Sequence, residues 1–178
     1  DGDLYLNMLD KIHQTGGKYA GVLWYQGCSD TNPGPAEKYL EHFREHVEAT
    51  RKELGYEIPF FTMQLNRQIN GINDECWGMV RDAQARAAKE IPGVSVLTTS
   101  NLSLCDGIHN TAQANVALGE KLAKQCAHVL NGKEEYQPPE LVKVERADEA
   151  ERKSFQLEGS GIWLKLTCDH VKNCFLVY

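Results

Sequence analysis

Residues 21–30 read GVLWYQGCSD. An apolar and aromatic run ending at Tyr25 stops abruptly on Gln26, Gly27, Cys28, Ser29 and Asp30, all small or polar. Residues 19–25 predict a β-strand, nearly all apolar, as expected of a parallel strand covered on both faces. The polar residues after it form either an ordinary turn or the rim of an active site. The neighbouring segments decide between these.

Upstream, residues 3–14 (DLYLNMLDKIHQ) place Leu4, Met8 and Ile12 four apart, predicting a short helix closed by Gly16 and Gly17. Downstream, Pro33-Gly34-Pro35 breaks the chain and opens a helix over 36–54. Tyr39, Leu40, Phe43, Val47 and Leu54 are its apolar stripe, and Gly55 stops it. Residues 58–65 (IPFFTMQL) predict a second strand, followed by the polar loop NRQINGIND. A helix over 74–90 ends before Pro92, 94–98 predict a third strand, and SNLSLCDGIHN forms a loop. The next helix is predicted to start with Asn110 as N-cap and Gln113 three residues on, a capping box in composition. Its buried face is predicted as Leu118, Leu122, Cys126 and Val129 or Leu130, with Asn131-Gly132 ending it.

Strands alternating with helices predict a three-layer α/β domain with a parallel sheet over residues 1–137. In such sheets the site lies at the carboxyl ends of the strands. QGCSD, NRQ and SNLSLCDGIH leave those ends, and all are polar. That favours an active-site rim over a turn. Beyond Pro138-Pro139 the pattern becomes alternating and strand-like, predicting the start of a second, β-rich domain over 138–178.

The 178 residues are 42% hydrophobic and 25% charged, enough for one sizeable core. A formal net charge of −6 opposes nucleic acid as a partner, since no basic stripe is present to neutralise phosphates. No apolar run is long enough to span a membrane. The first residue is Asp1 rather than Met, so the chain is expected to be part of a longer one. The six cysteines form no CxxC pair, which argues against a thiolate zinc site, and their irregular spacing is unlike a disulfide framework. Reduced thiols are expected, although Cys168 and Cys174 could meet across a hairpin.

The strongest local arrangement is Asp106-Gly107-Ile108-His109. A carboxylate and an imidazole three residues apart on a loop can fold so that Asp accepts from His Nδ1–H. Nε2 is then free to take a proton from a nucleophile. The competing reading is an Asx turn with His109 merely near a helix start. Gln26 offers a neutral amide donor at a strand end, suited to an oxyanion, and Gly27 would let substrate approach the backbone. Hydrogen bonding to a neighbouring loop is the plainer reading of Gln26.

Cys28 and Ser29 carry nucleophilic atoms. No neighbour in sequence lowers the thiol pKa, and Ser29 lacks a GxSxG elbow, so both are assigned structural roles. His42-Phe43-Arg44-Glu45-His46 matches the HxxEH zinc pattern. Phe43 and Val47 mark the core side of that helix, however, so these histidines are assigned to a solvated surface and no metal is expected. Arg81 and Gln84 are assigned to a polar helix face, and Trp24 and Trp77 to the core.

Taken together, these segments resemble the sialate O-acetylesterase-like branch of the SGNH hydrolases, which deacetylate carbohydrates. The family's strand block reads roughly VxWYQGESN or VxWHQGESD, followed by a PF…QL strand, a W…REAQ helix and D…IHP…GxRLA. Here the counterparts are GVLWYQGCSD, PFFTMQL (59–65), WGMVRDAQ (77–84) and DGIHNTAQANVALGEKLA (106–123). LYLNML (4–9) is also similar to the segment preceding the strand block, so the match runs in consistent order over about residues 4–130.

The resemblance implies a three-layer α/β/α, flavodoxin-like sheet and hydrolysis of O-acetyl esters on sialic acid or acetylated plant glycans, with no cofactor or metal. It implies a Ser–His–Asp mechanism with His109 as general base, Asp106 as the residue orienting it, and Gln26 contributing to the oxyanion hole. The family's nucleophile lies in a GQSN-type block that this chain lacks. The serine and a further strand are therefore expected from a preceding segment or a complementary chain, and residues 1–178 alone are expected to be inactive. Cys28 stands where the family has Glu, which leaves a non-catalytic carbohydrate-binding or scaffold relative as the alternative.

Overall fold

A computed structural model describes residues 2–131, 141–146, 163–168 and 171–177. The chain divides into two compact units, Asp1–Tyr136 and Gln137–Tyr178. In the first, the order is α1 (Asp3–Thr15), β1 (Val22–Trp24), a 3-10 turn (Cys28–Asp30), α2 (Pro35–Leu54), β2 (Phe60–Met63), α3 (Asp74–Glu90), β3 (Val94–Leu97) and α4 (Ala112–Leu130). The second unit contains β4 (Leu141–Arg146), β5 (Trp163–Cys168) and β6 (Val171–Val177), paired antiparallel in that order. The register sets Cys174 opposite Leu166 and Cys168 opposite Val171. The side chains of Cys168 and Cys174 lie outside the described residues, whereas Cys28, Cys76, Cys105 and Cys126 are free thiols.

The sheet of the first unit is parallel, in the order β1-β2-β3, with Val22 opposite Phe60 and Phe60 opposite Val94. Alternation along the strands sends side chains to two cores. On one face Phe60 and Val94 join Tyr39, Phe43 and Val47 of α2 and Trp77, Val80 and Ala87 of α3. On the other, Met63 and Leu97 join Leu102 and Ala114 and Leu118 of α4. The result is the α/β/α sandwich that the strand–helix alternation predicts. β2 and β3 are buried at every position, and each such apolar side chain contributes about 1.5–3 kcal/mol.

β1 differs from the expectation of a longer strand covered on both faces. It has three residues, and Leu23 is 59% exposed. Leu23 is in register with Phe61 on the α4 side of the sheet, where no described element covers β1. α2 begins with Pro35 in its first turn and stops at left-handed Gly55. The start of α4 also departs from expectation: Thr111, not Asn110, is the N-cap, its hydroxyl accepting from the Ala114 amide at 3.1 Å. The buried residues of α4 are Ala114, Leu118 and Gln125, while Leu122, Cys126 and Val129 are half-buried and Leu130 is 48% exposed.

One buried polar side chain spans the ends of β1 and β2. Gln84 of α3, 1% exposed, accepts from the Leu65 amide at 2.7 Å and donates to the Gln26 carbonyl at 2.9 Å and the Tyr39 hydroxyl at 3.3 Å. Sequence reasoning placed it on a polar surface face. Its partners lie 19 and 58 residues away in sequence, out of reach of any local pattern. Gln84→Ala leaves the buried Leu65 amide unpaired and opens a void, so chemical denaturation should show a loss of about 2–4 kcal/mol. An exposed position such as Lys124→Ala should shift stability by no more than about 0.5 kcal/mol.

Candidate active site

The loops that leave the carboxyl ends of β1, β2 and β3 meet at one cleft of about 260 Å³. It is lined by Tyr25, Gln26, Cys28, Leu65, Asn66, Ile108, His109, Asn110 and Asn115. The β3 loop folds back on itself before entering α4. Cys105 N–H donates to the His109 carbonyl at 2.9 Å, Thr111 N–H to the Ser103 carbonyl at 3.0 Å, and Leu104 bridges to Asn110. Its tip is tied to the β2 loop by Ile69 N–H donating to the Gly107 carbonyl at 3.0 Å.

Within that tip Asp106 does two jobs. Its Oδ1 accepts from the backbone amides of His109 at 2.7 Å and Ile108 at 2.8 Å, and its Oδ2 lies 2.7 Å from His109 Nδ1. The Asx turn and the Asp–His pair, opposed readings of the sequence, thus coexist in one carboxylate. Those hydrogen bonds, chiefly the His109 amide, then the Ile108 amide and the His109 ring, hold the Asp106 pKa at about 2 against an ordinary 3.8. Both side chains are more than half exposed, so the ring faces solvent and the cleft.

Gln26 is anchored at both ends. Its carbonyl accepts from the Tyr39 hydroxyl at 3.0 Å and from Gln84. Its side-chain amide donates to the Asp30 carboxylate in the 3-10 turn, leaving a second amide proton uncommitted to that bond. Gly27 packs against α3. Its φ is +142°, and an added Cβ would come within 3.0 Å of Gln84 Nε2 and 3.1 Å of Val80 Cγ1. The lack of a side chain lets the loop pack closely on α3. Cys28 lines the cleft, and burial raises its thiol pKa, which opposes a thiolate.

Asn110 on the cleft, and Arg67 and Arg81 behind it, have roles that the sequence does not show. Asn110 is no helix cap: its Oδ1 accepts from buried Asn66 at 2.7 Å, and its Nδ2 donates to the Tyr25 hydroxyl at 3.0 Å and Asn115 Oδ1 at 3.1 Å. Arg67 donates to the carbonyls of Ser100 and Leu102 at 2.7 and 2.8 Å. Arg81, half-buried rather than on a free polar face, donates to the Leu65 carbonyl and to Ser100 Oγ. Together the two guanidiniums brace the start of the β3 loop. Trp77 is in the core as expected, its indole donating to the Asn66 carbonyl at 2.7 Å.

The HxxEH helix also differs from expectation. His46 is half-buried instead of solvated, its ring 4.5 Å from Trp24 and 5.8 Å from Phe60, and desolvation lowers its pKa. Among the described residues no cluster of three His, Cys, Asp or Glu side chains is arranged to hold a metal ion.

The third loop of the α/β/α sheet thus holds an imidazole hydrogen-bonded to a carboxylate at the rim of the cleft. The profile described as carbohydrate esterase, sialic acid-specific acetylesterase matches residues 1–128. The chain belongs to this family of carbohydrate acetylesterases.

Two solved structures are similar. One is a protein from Arabidopsis thaliana, 27% identical with a TM-score of 0.62, the match covering 70% of this chain and 52% of that one. The other is a carbohydrate acetylesterase from Xanthomonas citri, 25% identical with a TM-score of 0.63, covering 85% of this chain and 33% of that one. The chain therefore spans about half and one third of their lengths. No match was found among curated proteins.

The Asp106 pair gives a pH prediction. Its pKa is depressed on folding, so its stabilising contribution is present above 3.8 and is lost as pH falls through about 2. Carboxyl NMR of Asp106 should show a midpoint near 2, with the Ile108 and His109 amide resonances moving in step. A midpoint near 3.8 would show that the turn does not hold the carboxylate.

Proposed function

We propose that this chain is the base-bearing part of a serine carboxylic-ester hydrolase that removes O-acetyl groups from carbohydrates. The 2.7 Å contact between His109 Nδ1 and Asp106 Oδ2 carries the reading. It fixes the tautomer with Nδ1 protonated and leaves Nε2 as the proton acceptor.

The nucleophilic serine comes from a preceding segment or a complementary chain. The exposed Leu23 face and the outer edge of β1, unpaired among the described residues, support a further strand there. In the reaction, the serine hydroxyl gives its proton to His109 Nε2 as its oxygen bonds the acetyl carbonyl carbon. The free amide proton of Gln26, with Gly27 beside it, faces the resulting oxyanion. Collapse breaks the ester bond, and the sugar oxygen leaves with the proton from His109. Water, deprotonated by the same nitrogen, then releases acetate from the acyl-serine. Asp106 stabilises the imidazolium formed in each half.

In the full-length protein, His109→Ala should cut acetate release from an acetylated sugar by at least about 100-fold, and undiminished release would remove His109 from the mechanism. A fluorophosphonate should label one serine of the full-length protein and none in residues 1–178 alone. No labelled serine in the full-length protein would favour a non-catalytic carbohydrate-binding relative, for which the change to Cys28 is the supporting observation.

A further inference from the structure

The cleft beside His109 has a wall to which the hydrolytic roles assign nothing. Tyr25, Asn110 and Asn115 lie on it, and Leu65 and Ile108 add apolar surface. Asn110 is fully engaged: its oxygen accepts from Asn66, and its two amide protons go to the Tyr25 hydroxyl and Asn115 Oδ1. Since those two oxygens accept from Asn110, the Tyr25 O–H and the Asn115 amide protons are the groups left to donate outward. Tyr25 is 43% exposed and Asn115 is exposed, so both can reach a ligand. Burial raises the Tyr25 pKa, keeping the hydroxyl protonated.

Neutral donors beside apolar side chains suit a sugar ring, which presents hydroxyl oxygens at its edge and C–H groups on its face. The charges in and around the cleft point to an uncharged ring. The ionised Asp106 stands behind His109, and the Asp30 carboxylate holds the Gln26 amide on the same rim. The guanidiniums of Arg67 and Arg81 do not line the cleft and donate to the carbonyls of Leu65, Ser100 and Leu102 and to Ser100 Oγ. None of these charged groups lines the cleft, so a sugar carboxylate bound here would meet no lysine or arginine among the lining residues.

We propose that Tyr25 and Asn115, oriented by Asn110, are specificity-determining residues that donate to hydroxyl oxygens of an uncharged acetylated sugar. This rests on the esterase reading above and narrows its substrate class.

The test compares kcat/KM of the full-length protein on an acetylated methyl xyloside, on 9-O-acetylated sialic acid and on 4-nitrophenyl acetate, which has no sugar hydroxyls. The neutral sugar ester should be preferred over the anionic one by at least about tenfold. Tyr25→Phe and Asn115→Ala should each lower the ratio of sugar-ester to aryl-acetate kcat/KM by about three- to tenfold, mainly through KM. Equal or better turnover of the sialic acid ester, or an unchanged ratio in both variants, overturns the proposal.

Titration with unacetylated methyl xyloside, followed by the Asn115 side-chain amide resonances, separates the two readings. A shift without hydrolysis of any ester leaves the sugar-binding wall standing and removes the esterase. Hydrolysis without a shift removes the wall alone.

Discussion

The buried amide of Gln84 is the constraint on which the site depends. The β1–β2 ladder ends at Trp24 and Thr62, and beyond it the backbone needs partners where the chains part. Gln84 supplies them from α3, taking the Leu65 N–H and giving to the Gln26 carbonyl. A buried peptide group left unpaired costs about 1–3 kcal/mol, so α3 cannot slide without raising the energy of both loops. Gly27 is part of the same constraint. Its positive φ and the closeness of Gln84 and Val80 make any side chain there strained and crowded. Gln26 and Asn66 therefore leave the sheet from defined points.

The third loop is tied to the second by several further bonds. Thr99 donates to the Gln64 carbonyl at 2.7 Å, and Arg67 and Asn66 converge on the carbonyl of Leu102. Those bonds fix the base of the loop. Asp106 then organises its tip locally, taking two backbone amides and the ring of His109. The division of labour has an energetic logic. Long-range bonds from buried or half-buried groups place the loop, while an exposed short-range turn sets the imidazole without confining it away from ligand. Since Asp106 is solvent-exposed, its value lies in orientation more than in stability.

What could be read in the sequence follows the range of each interaction. β2 and β3 announce themselves as apolar runs bounded by glycine and proline, and α2 and α3 as apolar stripes. Such patterns need only neighbours a few residues apart. The Asp106–His109 pair was legible for the same reason, being an i, i+3 contact within one turn. Asn110 and Thr111 are both acceptable N-caps by residue type. The choice between them is made by Asn66, 44 residues away, which engages Asn110 and leaves the cap to Thr111. Residue type alone sets Arg81 and Gln84 on a polar helix face and His46 on a solvated one, because their partners come from other elements. The exposed side of β1 was equally illegible, since an apolar strand reads alike whether its second face is covered or open.

The change at Cys28 bears on how the cleft is charged. Where the resembling family places a glutamate in this turn, the chain keeps a carboxylate two residues on, at Asp30, and it is Asp30 that holds the Gln26 side chain. The orienting of that amide therefore does not require an acid at 28. A carboxylate at position 28 would instead put a negative charge into the cleft shared by Gln26 and His109. A protonated thiol adds no charge for a ligand to match. The cysteine thus leaves the cleft more neutral, in keeping with the uncharged side chains of Tyr25, Asn110 and Asn115 that line it.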